Sequence, residues 1–198
     1  MFPLFETIKI VDGIPQHLEY HQKRIELSLK FCFKAEAAFD ELSQLIQPSH
    51  LFKGILKCKF SYNSEEFDIE YSQYTPKKIQ SLKLVNDDSI SYANKFTDRT
   101  CFHRLLKNVV EDDIIIVKNG LVTDTSFSNL CFFDGYRWLT PSTLLLKGTA
   151  RRRLLNQGLI FEKTIKAKQI FSYQKVMLIN AMLDFDEKNS LPIEQIVM

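Results

Sequence analysis

An α/β (α+β) protein of two small domains is the fold class that this 198-residue sequence predicts. Three observations carry it. Short apolar runs, alternating or continuous, recur along the whole chain and are separated by turn pairs such as Asp12-Gly13, Asn119-Gly120 and Asp134-Gly135. Helical spacing of apolar residues is confined to a few brief stretches. Hydrophobic residues make up 45% and charged residues 25%, which suits a packed core and excludes a disordered or fibrous chain.

Residues 4–11 alternate loosely and end at Asp12-Gly13, a strand entering a hairpin. From His17 to Lys34, Leu18, Ile25, Leu29 and Cys32 recur near helical spacing. The stretch 35–46 reads as a second helix, with Ala38, Leu42, Leu45 and Ile46 on one side. Residues 51–62 and 66–74 read as two strands turning at Asn63-Ser64, with Cys58, Phe60 and Tyr62 alternating on one and Phe67, Ile69 and Tyr71 on the other. Together these predict an N-terminal antiparallel sheet with two helices.

A strand at 82–85 and a polar stretch follow, and Asp98 is the expected N-cap of a helix carrying Phe102, Leu105, Leu106 and Val109. The continuous apolar run at 114–117 predicts a fully buried strand entering the Asn119-Gly120 hairpin. Short strands at 130–133 and 138–140, a helix at 149–156 ended by Gly158, and a buried strand at 176–179 complete a C-terminal β-rich domain with short helices. The expected division is 1–85, an interdomain segment 86–94, and 95–198.

Lys plus Arg is 26 and Asp plus Glu is 24, so the net charge of +2 argues against nucleic-acid binding through a broad basic field. No apolar run approaches the ~20 residues of a membrane helix, and no export signal opens the chain, so no membrane partner and a cytoplasmic location are expected. Cys32, Cys58, Cys101 and Cys131 are scattered in apolar contexts and read as reduced core residues. His17 and His21 stand at i, i+4 without the glutamate or third ligand of a zinc motif, so no metal site is expected.

Three polar segments draw attention. Residues 120–130 deliver one carboxylate, Asp124, into a run of hydroxyl and amide side chains between two apolar strands. Gly148-Thr149-Ala150 stands at a helix start, where free N–H groups and the positive dipole end favour a phosphate. Tyr92-Ala93-Asn94-Lys95 places a lysine at the end of the interdomain segment. Read singly, each is as compatible with a solvated turn, a plain cap or a surface lysine.

In this order the segments resemble the class IV (fold type IV) pyridoxal-phosphate enzymes, the family of branched-chain and D-amino-acid aminotransferases and aminodeoxychorismate lyase. Phe5-Glu6-Thr7-Ile8-Lys9-Ile10-Val11-Asp12-Gly13 resembles the family's opening strand, and Tyr20-His21-Gln22-Lys23-Arg24-Ile25 its His-x-x-Arg-Leu helix. Lys95-Phe96-Thr97-Asp98-Arg99 is similar to the Lys-x-x-x-Arg segment that carries the Schiff-base lysine. Thr123-Asp124 through Asn129-Leu130 stands where members read Thr-Glu-x-x-x-x-Asn-Leu, and Leu146-Lys147-Gly148-Thr149-Ala150-Arg151 where they read Leu-x-Gly-Ile-Thr-Arg.

The resemblance implies pyridoxal 5′-phosphate as cofactor, lying between the two domains, and a homodimer acting on a small-molecule amine. It implies that Lys95 condenses with the cofactor aldehyde and then serves as base and acid. Arg24 and the Thr149-Ala150 turn would hold the phosphate, Asp124 the pyridine nitrogen, and Asn180-Ala181 would add to the cofactor site. Thr7 stands where the lyases use a threonine hydroxyl near the substrate and branched-chain aminotransferases carry glycine. Asn180-Ala181 likewise resembles the lyases' Asn-Ala. The expectation is therefore an aminodeoxychorismate lyase-like enzyme of folate biosynthesis, making 4-aminobenzoate and pyruvate from 4-amino-4-deoxychorismate. A class IV aminotransferase on a branched-chain or D-amino acid, and a cofactor-binding remnant without turnover, stay open beside it.

Overall fold

The computed structural model describes residues 2–48 and 51–198, which form three sheets and four α-helices with short 3-10 turns. The chain divides into two units. One comprises residues up to Pro76 together with Asn94–Asp98; the other comprises Lys77–Ala93 and Arg99–Met198. The mixed α/β class is the predicted one.

In the first unit the elements run β1 (Leu4–Val11), β2 (Ile14–Pro15), α1 (Leu18–Phe33), α2 (Leu42–Leu45), β3 (Ile55–Tyr62) and β4 (Phe67–Gln73). The strands form one antiparallel sheet in the order β2-β1-β3-β4. The β1–β2 turn works because Asp12 and Gly13 both take positive φ, 47° and 79°, which matches the twist of the flanking strands. Leu4, Ile8 and Ile10 of β1, with Cys58, Phe60 and Tyr62 of β3, pack on Ile25 and Leu29 of α1.

One predicted helix is mostly absent: of 35–46, only Leu42–Leu45 is helical. Phe39 is drawn instead into the aromatic core, 5.6 Å from the Phe60 ring and 5.3 Å from the Phe67 ring. The Ala38 N–H donates to the Ser64 carbonyl, so tertiary packing overrides local propensity across the first half of that stretch.

The second unit holds β5 (Leu82–Asn86), α3 (Thr100–Leu106), β6 (Asp113–Lys118), β7 (Leu121–Thr125), β8 (Asn129–Phe133), β9 (Trp138–Pro141), α4 (Thr149–Asn156), β10 (Ile160–Lys163), β11 (Lys175–Ile179), β12 (Ser190–Pro192) and β13 (Ile196–Val197). Two sheets, β13-β5-β6-β7 and β10-β9-β8-β11-β12, share a core of Leu82, Ile115, Val122, Leu130, Phe132, Val176 and Ile196. Leu154 of α4 packs on Cys131 and Met177, which belong to β8 and β11. The predicted buried strand is β6, whose Ile114, Ile115 and Ile116 are wholly buried.

The predicted cap of α3 is a correction. The cap position is Arg99, not Asp98, and it makes no side-chain cap bond; Val109 lies beyond the helix. The Arg99 guanidinium is engaged elsewhere. It rests 4.5 Å from the Phe102 ring centre and donates to the Ser126 carbonyl.

Candidate active site

Three of the residues singled out above, Thr7, Arg24 and Lys95, lie in the first unit or on its added segment. Residues 94–98 run beside the start of β1: the Phe5 N–H donates to the Lys95 carbonyl at 3.0 Å, and the Thr97 N–H donates to the Pro3 carbonyl at 2.9 Å. The Lys95 Nζ stands 4.9 Å from the centre of the Phe5 ring. Strand alternation puts Thr7 on the same face of β1 as Phe5, and turns Leu4, Glu6, Ile8 and Ile10 to the other.

Glu6 is the one acid in that buried row, and it is wholly buried. Its carboxylate accepts from Arg24 Nε at 2.7 Å and Nη2 at 2.5 Å, and from His21 Nδ1 at 2.6 Å. His21 and Arg24 are i, i+3 on α1, so one helix face presents both to the strand. Burial pushes the Glu6 pKa upward, but Arg24 and His21 outweigh it and hold the group at about 2. Burial pushes His21 below its ordinary value, so the imidazole is neutral and donates without adding charge.

Both shifts have the same consequence for stability. Glu6 ionises well below its unfolded value of 4.5, so its pairing stabilises the fold above that pH and is lost as pH falls toward 2. His21 resists protonation in the fold, and its contribution also falls as pH drops below 6.5. Acid unfolding followed by circular dichroism is expected to be steeper in the wild type than in the paired variant Glu6→Leu/Arg24→Leu, which lacks this buried ion pair; equal slopes would refute this.

The second unit gathers the others around Asn129. Asp124, at the end of β7, is buried; its Oδ1 accepts from Asn129 Nδ2 at 2.7 Å, and its Oδ2 from the Leu145 and Leu146 N–H groups at 2.9 Å each. Despite these donors, burial pushes the Asp124 carboxyl up to about 6. Such a carboxylate is an anion in the neutral range and gains from a cation placed opposite it. Asn129 Nδ2 also donates to the Leu146 carbonyl at 2.9 Å. Its Oδ1 fills the space that a side chain on Gly148 would take, 1.9 Å from an ideal Cβ.

Gly148 is the N-cap of α4 and has no side chain to cap it, so the N–H groups of the first turn at Thr149 and Ala150 receive no side-chain bond. Asn180 joins the same neighbourhood: its Nδ2 donates to Ser128 Oγ at 2.8 Å, and its Oδ1 accepts from the Met182 and Leu183 N–H groups at 2.9 and 3.2 Å. Ala181 is the next residue of that turn. Two residues absent from the predicted set therefore belong here. Asn129 and Gly148 stood inside the quoted motifs, but their mutual contact is a long-range one that spacing does not report.

Of the arginines in the second unit, Arg151 is buried and committed, donating to Thr140 Oγ1, the Pro141 carbonyl and Glu162 Oε1. Arg104 pairs with Asp87. Arg152 points to solvent.

The fold thus keeps ionisable side chains buried at two places, Glu6 on β1 and Asp124 on β7. The chain belongs to the class IV amino-transferase family, whose model matches residues 3–185, a family of pyridoxal-phosphate-dependent enzymes. An uncharacterized protein of Haemophilus influenzae is 40% identical over 185 residues, 92% of this chain and 98% of its own. A crystal structure from Haemophilus somnus 129PT, provisionally named a 4-amino-4-deoxychorismate lyase, matches with a TM-score of 0.84 at 36% identity, over 92% of this chain and 97% of that one. A hypothetical aminotransferase from Mycobacterium tuberculosis in its PLP-bound form matches with a TM-score of 0.72 at 16% identity, over 91% of this chain and 78% of that one, which shows the shared fold. No helix among the described residues is long and apolar enough to cross a membrane.

Proposed function

We propose that the chain is a pyridoxal-phosphate-dependent lyase that converts 4-amino-4-deoxychorismate to 4-aminobenzoate and pyruvate, acting as a cytoplasmic homodimer in folate synthesis. The observation that carries the choice of reaction is Thr7, whose hydroxyl shares a strand face with the Phe5 ring on which the Lys95 amine rests. A glycine at that position has no hydroxyl to offer. The 36% identity to the provisionally named Haemophilus somnus lyase supports the same choice.

The residues present suit the coenzyme. The uncapped first turn of α4 at Thr149 and Ala150 offers N–H groups to a phosphate, and Arg24 offers a guanidinium. Asp124, anionic above about pH 6, suits the protonated ring nitrogen. The Asn180-Ala181 turn, tied to Ser128, borders the same loop. Bound pyridoxal phosphate supplies a carbonyl for the substrate amine and a ring that withdraws electrons from the adjacent carbon. Lys95 Nζ then removes the proton from the carbon bearing the amine and returns a proton as pyruvate leaves and the substrate ring becomes aromatic. Thr7 Oγ1 orients the substrate through a hydrogen bond.

Purified protein incubated with pyridoxal phosphate and 4-amino-4-deoxychorismate is expected to release 4-aminobenzoate and pyruvate in equal amounts. Conversion of the coenzyme to its amine form by an amino acid alone identifies an aminotransferase instead. Borohydride fixation of the coenzyme to the Lys95 peptide without turnover of either substrate identifies a remnant. Sedimentation of the loaded protein checks the dimer.

A further inference from the structure

We propose, resting on the coenzyme assignment above, that Glu6 is a positioning residue that sets the orientation of the Arg24 guanidinium toward the coenzyme phosphate. The neighbours of Glu6 on its face of β1 are Leu4, Ile8 and Ile10, all wholly buried, and its cross-strand partner is the buried Phe60. A fourth aliphatic residue would complete that row at no desolvation penalty, whereas a buried carboxylate is costly and a buried ion pair is weak evidence of added stability. The pair is therefore poorly explained as a staple for the fold.

Its geometry explains it better. Nε and Nη2 of Arg24 meet separate oxygens of Glu6, at 2.7 Å to Oε1 and 2.5 Å to Oε2. Two parallel contacts fix the plane of a guanidinium as one contact cannot. His21 Nδ1 holds Oε2 from a third direction at 2.6 Å, so the carboxylate cannot rotate to follow the arginine. The Arg24 side chain keeps 11% of its surface exposed while Glu6 keeps none and His21 1%, so Arg24 is the member of the cluster that reaches the surface. A phosphate has three equivalent oxygens and binds strongly only to donors already aimed at it, because freezing a long side chain at the moment of binding is costly.

The test compares the affinity of the protein for pyridoxal 5′-phosphate with that for pyridoxal, which lacks the phosphate, using quenching of intrinsic fluorescence. Wild type should prefer the phosphorylated form strongly; absence of binding to either would refute the coenzyme assignment itself and not this role. Glu6→Gln is expected to reduce the preference about ten-fold, the scale on which groups that orient a ligand act, with pyridoxal affinity little changed and a lowered melting temperature, because Arg24 loses its countercharge. In an Arg24→Ala background, Glu6→Gln should reduce the preference no further. Should Glu6→Gln fold poorly, Arg24→Lys reads the same quantity: it keeps the charge, loses the two-point grip, and should lose a similar share of the preference. An unchanged preference in Glu6→Gln or Arg24→Lys, an increased one, or an equal loss for both ligands would overturn the proposal.

Discussion

Gly148→Ala is expected to lower the stability of the protein by about 2–4 kcal/mol and to weaken coenzyme binding with it. The backbone at Gly148, with φ −67° and ψ 141°, is open to any residue, so the effect is one of space and not of conformation. An added Cβ would sit 1.9 Å from Asn129 Oδ1 and 3.1 Å from its Cγ. Asn129 cannot move aside cheaply, because it is buried and its Nδ2 is committed to Asp124 Oδ1 at 2.7 Å and to the Leu146 carbonyl at 2.9 Å. Displacing it leaves a buried carboxylate short of a donor and shifts the group proposed to face the ring nitrogen. The change also presses on the helix start proposed to hold the phosphate. Thermal melts of the coenzyme-free protein read the first effect, and a titration with pyridoxal phosphate reads the second. Because clash and lost bond share one partner, Asn129→Ala/Gly148→Ala should be less destabilised than the two single changes added together. A Gly148→Ala melt indistinguishable from wild type would show that Asn129 has room to move.

What the residues reveal in advance follows the range of the forces involved. Asp12-Gly13 and Asn119-Gly120 could be read as hairpin turns because positive φ is a local demand that few residues meet; Asn119 and Gly120 take φ 52° and 72°. The Ile114–Val117 run could be read as a buried strand because only a strand covered on both faces tolerates unbroken apolar residues. Residues 35–41 could not, because the ring of Phe39 is claimed by Phe60 and Phe67, which come more than 20 positions later. The parallel pairing of β10 with β9 and of β13 with β5 is equally non-local. The cap of α3 failed for a related reason, since Arg99 answers to a carbonyl at Ser126 and to an aromatic ring.

The candidate site divides along the same line. Asp124, Lys95 and the Gly148-Thr149-Ala150 helix start lie in contiguous motifs and are visible in order along the chain. The support behind them is not. The burial of Glu6 was hinted at by its parity with Leu4, Ile8 and Ile10, but a charge on a strand is more often a sign of solvent. Only the opposing α1 face, with His21 and Arg24 one turn apart, turns that hint into a buried cluster.

Lys95→Ala is expected to abolish turnover while leaving the fold almost untouched. The backbone at position 95 accepts the Phe5 N–H through its carbonyl, and an alanine keeps that bond. The lost contact of Nζ with the Phe5 ring, at 4.9 Å, should cost less than about 1 kcal/mol of stability. Loss of the proposed proton carrier alone should reduce the rate by roughly 10²–10⁴-fold, and removal of the group that fixes the coenzyme adds to this. Lys95→Arg separates charge from chemistry: it preserves a cation over the Phe5 ring, but a guanidinium stays protonated and can neither attack a carbonyl nor take up a proton. Both variants should therefore melt within a few degrees of wild type, fail to retain coenzyme on residue 95 after borohydride reduction, and release no 4-aminobenzoate above background. Coenzyme affinity measured by fluorescence should fall less than activity, because the α4 helix start, Arg24 and Asp124 are unchanged. Turnover by Lys95→Arg at more than a few per cent of wild type would assign the proton transfer to another group and sink the proposed role of Lys95.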